Sequence, residues 1–589
     1  MGQKYYSNIR RKKPKRSKVV DNHEVDLCYF NRWKSCKSST SLGFCFVFTI
    51  CATATFLTAS FLDEQQQNIQ TSLSSSSGYT YIDWKQITDI GFSRIGLLNF
   101  NDHRQVLLSG VNSSVIDLEH VQNDIPWASL YPEWINEDQG IHESERPICP
   151  SLPDILDNWN PTLYDLIAVN LPCNKSGDWS RDVNRLHLQL SAAKLAAAVS
   201  GGDTSVHVLF VTECFPIPNL FRLKDLVLHE GNIWMYKPDM TSLKQSIQLP
   251  IGSCKLAVPS TSPESRRWPE SMKKQREAYV TILHSANFYV CGAIAAARSI
   301  RMTGSTRDLV ILVDKKISYR RKKGLKSAGW KVRVIDRIRN PKADREAYNR
   351  WNYSKFRLWQ LINYDKIVFI DADLIVLRNI DFLFTWPEIT ATGNDGTLFN
   401  SGVMVIEPSI ATFNLLMDHI HDIKSYNGGD QGYLNEVFTW WHRMPRTMNF
   451  LKHFLYQNRD AIKKKNHLFT ADPPELYVLH YLGIKPWWCY RDYDCNWNVH
   501  GMRKFASDAA HRRWWKVYDS IPVKLRSFCW LRSKQKAFLE RDRIQAKKSN
   551  FSDRHWMRTI RDRRLKICNE NPCYRKSMLS FWLDQNITL

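Results

Sequence analysis

No two of the 14 cysteines stand as Cys-x-x-Cys, which removes the commonest sequence route to a structural zinc site. Net charge is the second scarcity. The formal charge of +24 invites a nucleic-acid reading, but residues 1–39 hold 11 Lys and Arg against 3 Asp and Glu, and residues 501–589 hold 22 against 8. Only +2 remains for the whole middle, so the basicity belongs to the two ends and not to the body of the chain. Charge is missing altogether from Ser41–Leu62, SLGFCFVFTICATATFLTASFL, a run of 22 residues. As a helix this run would be about 33 Å long, enough to cross a hydrocarbon core.

A cleaved signal peptide would lie nearer the N-terminus with a shorter apolar part. The basic cluster Arg10–Lys18 precedes the run and DEQQQNIQ follows it, so the positive-inside rule predicts a type II signal anchor. Residues 1–40 are then a cytosolic tail, 41–62 the transmembrane helix, and everything beyond lumenal. Ten cysteines lie past Leu62, with close pairs at Cys489/Cys495 and Cys568/Cys573, and a lumen permits disulfides. Glycosylation sequons stand at Asn112, Asn174, Asn352, Asn550 and Asn586 on the same side. This topology removes nucleic acid as a partner.

Residues 63–78, ending in SLSSSSG, are polar and of low complexity, which reads as a stem. Over 79–258, LYDLIAVNL, VNRLHLQLSAAKLAAAVS and SVHVLFVTE read as strand, helix and strand of an accessory α/β region. A Pro- and Ser-rich linker follows over 259–273. A second α/β pattern fills 274–500: AYVTILHS, CGAIAAARSIRM, DLVILVD, YRRKKGLKSAG and KVRVID alternate strand with helix, predicting a mostly parallel sheet. Ile367–Ile370, apolar on both faces, reads as a central strand of it. Ligands in such sheets sit at the carboxyl ends of the strands.

Asp371 and Asp373 fall at that end. If the chain stays extended, the two side chains share one side with Ala372 opposite. Paired carboxylates are costly unless a cation lies between them, and hard oxygens without nearby Cys favour Mg²⁺ or Mn²⁺ over zinc. A lone pair of this kind is more simply explained by one Asp capping a turn and the other being solvated. Three more segments bear on the choice. FNSGVMVIEPS places Asn400, Ser401 and Gly402 just before a buried strand, where a glycine permits close backbone approach. NGGDQGYLNEVFTWW sets Asn427, Gly428 and Gly429 before Asp430 and Gln431 at a helix start, where an ordinary Asp cap is an equal alternative. YVLHYLGIKPWW carries His480, Gly483 and Lys485 from strand to loop; a neutral imidazole can complete a metal site and a lysine can neutralise phosphate.

With AYVTILHSANFYVCGA and KFRLWQL, these segments follow the order found in retaining glycosyltransferases of the glycogenin type, the eighth family of the sequence classification. The chain resembles that family over about Glu277–Trp488. The N-terminal anchor, the extra α/β region and GIKPWWCYRDYDCNW look like its plant branch that transfers glucuronic acid to xylan. The resemblance implies a GT-A fold, a UDP-sugar donor and retention of configuration. It also implies Mn²⁺, with Mg²⁺ as the alternative, held by Asp371, Asp373 and His480 across the Asp371-Ala372-Asp373 motif. Lys355 matches a family lysine at the donor site, and Gly483 and Lys485 match residues that receive the pyrophosphate. Ile282–Tyr289 would line a uridine pocket. Asn400, Ser401 and Gly402 would meet the sugar together with Asn427, Gly428, Gly429, Asp430 and Gln431. Asp430 would lie nearest the anomeric carbon, stabilising positive charge there, with Lys355 as its catalytic companion.

Two departures bear on specificity. Where the family often has Asp-Gly-Gly-Asp this chain has Asn427, and one carboxylate fewer fits an anionic glucuronate donor. HYLGIKPW is also one residue shorter between Gly483 and Lys485 than the common pattern. The expected acceptor is xylan, decorated through an alpha-1,2 branch, and the expected place is the Golgi membrane with room for a complex with other Golgi glycosyltransferases. Two alternatives stand beside it: transfer of galacturonate or glucose to another wall glycan or lipid, and a non-catalytic Golgi scaffold. The basic 501–589 region reads as a solvated helical face, a membrane-surface contact or a protein interface. The pairs Trp440/Trp441, Trp487/Trp488 and Trp514/Trp515 are candidates for stacking on sugar rings or for the core.

Overall fold

The computed structural model describes residues 91–562 and 564, apart from 101–111, 122–124, 131–151, 158–162, 176, 200–205, 249–274, 285–286, 346, 395, 455–458 and 563. The anchor, the stem, the linker and the Cys568/Cys573 pair lie outside the described residues. Among the described residues no helix is long and apolar enough to cross a membrane.

Two sheets dominate the compact unit that begins at Phe92. The first has six strands in the order β2-β1-β3-β4-β6-β5, from β1 (Arg94–Leu98), β2 (Asn112–Ile116), β3 (Leu166–Asn170), β4 (His207–Val211), β5 (Leu226–Glu230) and β6 (Ile233–Tyr236). Its first four strands are parallel and its last two antiparallel. The expected helix between the two strands of this region is Val183–Val199, buried on most of its circumference, which is why its sequence is apolar nearly all round.

The second sheet has seven strands in the order β14-β12-β13-β10-β7-β8-β9. They are β7 (Glu277–Leu283), β8 (Asp308–Asp314), β9 (Lys331–Ile335), β10 (Lys366–Ile370), β12 (Thr390–Gly393), β13 (Phe399–Ile406) and β14 (His442–Met444). Between β10 and β12 a short β11 (Leu374–Val376) leaves for a third sheet, β11-β16-β15, with β15 (Phe450–Leu451) and β16 (Val478–His480). Strands β10, β7, β8 and β9 are parallel as the alternating pattern predicts. The sheet is nevertheless mixed, because β13 runs antiparallel to both β10 and β12.

Every residue of β10 is buried. Ile367 and Phe369 face one hydrophobic cluster, Val368 and Ile370 the other, following the two-residue period of a strand covered on both faces. The first cluster continues without a break into the core of the six-stranded sheet, through Phe210, Phe221 and Tyr236. The second takes in the helix Val290–Met302 and reaches Trp514 and Trp515 of the helix Asp508–Asp519. Of the Trp pairs, Trp440, Trp441, Trp487, Trp514 and Trp515 are buried, so these five are core and cannot stack on a polysaccharide.

Ionic contacts join the two large sheets. Glu407, just past β13, receives Arg222 at 3.1 Å and Lys224 at 2.7 Å from the first region, and Lys366 of β10 at 3.3 Å. Asn219 donates to the backbone oxygens of Glu388 and Trp440. The described cysteines form three disulfides, Cys173–Cys214, Cys291–Cys529 and the close pair Cys489–Cys495. Of the sequons, Asn112, Asn174 and Asn550 are exposed while Asn352 is 8% exposed, so the folded chain has no room for a glycan at Asn352.

Candidate active site

The chain does not stay extended past Ile370. It turns at Ala372–Asp373 and re-enters as β11, so the shared side of Asp371 and Asp373 comes from a turn and not from strand alternation. Asp371 N–H still donates to the Gly402 carbonyl at 2.9 Å, extending the β10–β13 register by one step. That bond explains why the motifs meet: the antiparallel β13 brings its first residues, Asn400, Ser401 and Gly402, to the carboxyl end of β10. These three lie inside the strand, not before it. On the other side Leu374 pairs with His480, and Tyr481 N–H donates to the Asp373 carbonyl at 3.0 Å. The break after β10 is therefore what sets His480 against Asp373.

Ligand atoms of Asp371, Asp373 and His480 lie within 4.8 Å of one another. His480 and Asp373 are 1% and 4% exposed, with His480 Nε2 3.2 Å from Asp373 Oδ1. Nε2 is buried and has no hydrogen-bond partner among the described residues. An imidazole nitrogen without a partner beside two carboxylates is what a divalent cation site requires, and the oxygen-rich set suits Mg²⁺ or Mn²⁺. Cys489, Asp494 and Cys495 form a second cluster of ligand-type groups, but their sulfurs are joined as a disulfide and offer no thiolate.

Lys355 comes from the helical turns Tyr348–Gln360 and is buried. Its ammonium lies 2.5 Å from Asp430 Oδ2, 3.8 Å from Asp371 Oδ1 and 3.1 Å from Ser401 Oγ. Burial alone would lower its pKa, yet Asp371 and Asp430 outweigh it and hold Lys355 above its ordinary value. Asp430 opens the helix Asp430–Val437, whose cap is Gly429, so it is not the cap itself. Gln431 Oε1 accepts from Ser401 N–H at 3.1 Å, tying this helix start to β13. Asn427 turns inward: its Oδ1 accepts from Ser425 Oγ and the N–H groups of Gly429 and Gly432. Gly428 offers its carbonyl to Asn340 and Asn349, two residues that carried no sequence signal.

Lys485 is 1% exposed and 3.0 Å from Asp373 Oδ2, so the shortened loop still delivers its ammonium to the site. Gly483 has φ +75°, and a Cβ there would lie 2.5 Å from Asn496 Oδ1, so glycine is required on both counts. Asn496 pins the loop by bonding both backbone groups of Ile484. Behind it, Lys452 and Asp494 form an ion pair of 2.5 Å, both fully buried. Arg564 donates to the carbonyls of Cys489 and Cys529, anchoring the C-terminal region behind the same loop. Around the expected uridine pocket, residues 285–286 lie outside the described set. Phe288 and Tyr289 meet the half-buried Trp488 edge-on.

Residues 280–489 match the profile described as "Glycosyl transferase family 8", and residues 69–254 match one described as "GUX1-5 N-terminal domain". The chain is 58% identical, over 84% of its length and 75% of the relative's, to the UDP-glucuronate:xylan alpha-glucuronosyltransferase 1 of Arabidopsis thaliana. The chain belongs to glycosyl transferase family 8. As in this family at large, the catalytic region is GT-A-like, with mixed sheets and helices. Human glycogenin-1 is 34% identical over 42% of the chain and 73% of its own length. Among solved structures, the galactosyltransferase LgtC with donor and acceptor sugar analogues aligns with 43% of the chain and 99% of its own length, at 16% identity and TM-score 0.30. In this family-8 chain Asp371, Asp373, His480, Asp430, Lys355 and Lys485 are joined in one cluster of ionic contacts.

Proposed function

We propose that the protein moves glucuronic acid from UDP-glucuronate to the xylan backbone, as an alpha-1,2 branch and with retention of configuration. The observation that carries the reading is the 58% identity to the xylan glucuronosyltransferase across 84% of the chain, combined with the cation site. Asp371, Asp373 and His480 would hold Mn²⁺, which when bound would supply positive charge against the diphosphate of the donor. Lys485 contributes a second positive charge beside it, and Gly483 keeps the loop close. Lys355 pairs with the Asp430 carboxylate and aims it from one side, so that Asp430 can stabilise positive charge at the anomeric carbon. Asn400, Ser401, Gly402 and Gln431 supply polar groups for the sugar.

The same reading places the protein in the Golgi membrane as a type II single-pass chain with a lumenal catalytic region. Its support is the uncharged Ser41–Leu62 run, the basic flank before it and the three disulfides.

Purified full-length protein with Mn²⁺ and xylo-oligosaccharide, offered UDP-glucuronate, UDP-galacturonate or UDP-glucose in turn, tests the assignment. Transfer from UDP-glucuronate in preference to the others is expected. Preference for another donor would overturn the sugar, and no donor turnover at all would favour a scaffold. Asp371→Ala with Asp373→Ala should abolish transfer; full activity in that variant would refute the cation site.

A further inference from the structure

A chain of three amide contacts behind His480 fixes where its ring proton sits. Gly402 N–H, a donor that cannot be reversed, points at Asn400 Oδ1 from 2.9 Å, which identifies that atom as the oxygen. Asn449 Nδ2 donates to the same oxygen at 2.9 Å. Asn449 therefore turns its own Oδ1 toward His480 Nδ1, 3.0 Å away, and an oxygen there demands N–H on Nδ1. In the neutral ring the lone pair is then left on Nε2, the buried atom facing Asp373 without a hydrogen bond.

We propose that Asn449 is a positioning residue that selects the His480 tautomer able to ligate a divalent cation. The alternative tautomer would set Nε2–H against Asp373 Oδ1, a favourable hydrogen bond that places a proton where the cation must bind. It would also turn the Nδ1 lone pair on the Asn449 oxygen. Asn449 is 1% exposed and ends the helical turn Arg446–Asn449 directly before β15, which pairs with β16 so that Leu451 stands opposite His480. Backbone pairing thus holds the amide and the imidazole at a set separation. Gly402 serves the same contact, since a Cβ there would lie 2.7 Å from His480 Cε1. Groups that orient a ligating histidine change metal affinity by about 10- to 100-fold when removed.

The test is Mn²⁺ affinity of the full-length protein without donor, read from free Mn²⁺ by electron paramagnetic resonance, with the melting temperature measured alongside. Asn449→Ala should weaken Mn²⁺ by about 10- to 100-fold. Asn449→Asp, whose carboxylate still accepts the Nδ1 proton but loses the donor to Asn400 Oδ1, should keep clearly more affinity than Asn449→Ala, a rescue that a merely space-filling role would not give. Should the alanine variant fail to fold, Asn449→Ser replaces it, because its shorter side chain leaves Nδ1 out of reach yet keeps a polar atom in place. Affinity within threefold of the wild type for Asn449→Ala or Asn449→Ser overturns the proposal, as does an aspartate variant that loses as much as they do. Wild-type protein that takes up no Mn²⁺ would defeat the cation site beneath it.

Discussion

Replacing Glu388 by Gln should stabilise the protein at pH 8 and leave it nearly unchanged at pH 5. Glu388 and Glu407 are both fully buried neighbours, and the three cations Arg222, Lys224 and Lys366 all converge on Glu407. They hold Glu407 ionised, well below its ordinary range against the cost of burial. Burial, and then the charge of Glu407, push Glu388 from its ordinary 4.5 up to about 8. The unfolded chain releases this proton above pH about 4.5 while the folded chain keeps it, so the contribution is complete below that pH and is lost as pH rises toward 8. The slope is about 1.4 kcal/mol per pH unit, which over this window amounts to roughly 5 kcal/mol. Gln keeps the neutral shape: its oxygen can accept from Trp359 Nε1 and Glu407 N–H, as Glu388 Oε1 does at 2.8 and 3.2 Å, and it has no proton to lose. Urea unfolding followed by tryptophan fluorescence, run on both proteins at pH 5 and pH 8, gives the difference directly. An advantage for Glu388→Gln that grows by about 3 to 4 kcal/mol between the two pH values is expected. An equal offset at both, or a less stable variant at pH 8, would refute the reasoning.

Lys355→Met should lower the initial rate of glycosyl transfer by about 100-fold or more and cost roughly 3 kcal/mol of stability, because Asp430 is left partly buried without its ammonium; an unchanged kcat would remove Lys355 from the machinery. Gly483→Ala should raise the donor KM and lower stability by about 1–3 kcal/mol, through the positive φ and the clash with Asn496, and equal Michaelis constants would show that the loop does not meet the donor. Opening Cys291–Cys529 by a double Ala substitution releases a 238-residue span and should cost about 5 kcal/mol on the chain-entropy scale, read as a lower melting temperature under non-reducing conditions. Asn427→Asp preserves the three bonds accepted by Oδ1, so it should fold normally and shift donor preference away from UDP-glucuronate; unchanged preference in a donor screen would sink that link.

Periodicity made the strands β7, β8, β9 and β10 legible within a residue or two, because strands buried on both faces are short apolar runs between helices of clear amphipathic pattern. The direction of β13 was not legible: its apolar run reads the same paired either way, and only the register Ile370 to Val403 reveals it. The turn at Ala372 was hidden for a related reason, since FIDADLIV reads as one continuous strand although two different sheets claim its halves. The charged members of the site stood out as motif residues. Asn449, Asn496, Asn340 and Asn349 did not, because each acts through hydrogen bonds to residues distant in sequence, which local spacing does not encode. The buried Trp pairs show the same limit, as side-chain type alone does not say which face a ring takes.

The unbroken core between the two large sheets bears on how such chains can be recombined. Boundaries that tolerate exchange are those crossed by few contacts. Here a graft of residues 92–248 from one relative onto the catalytic half of another must also match Glu388, Glu407 and Lys366, or strand Arg222 and Lys224 against a foreign face. Chimeras cut at the linker should therefore succeed only when both parts come from sequences that keep these five ionisable groups together.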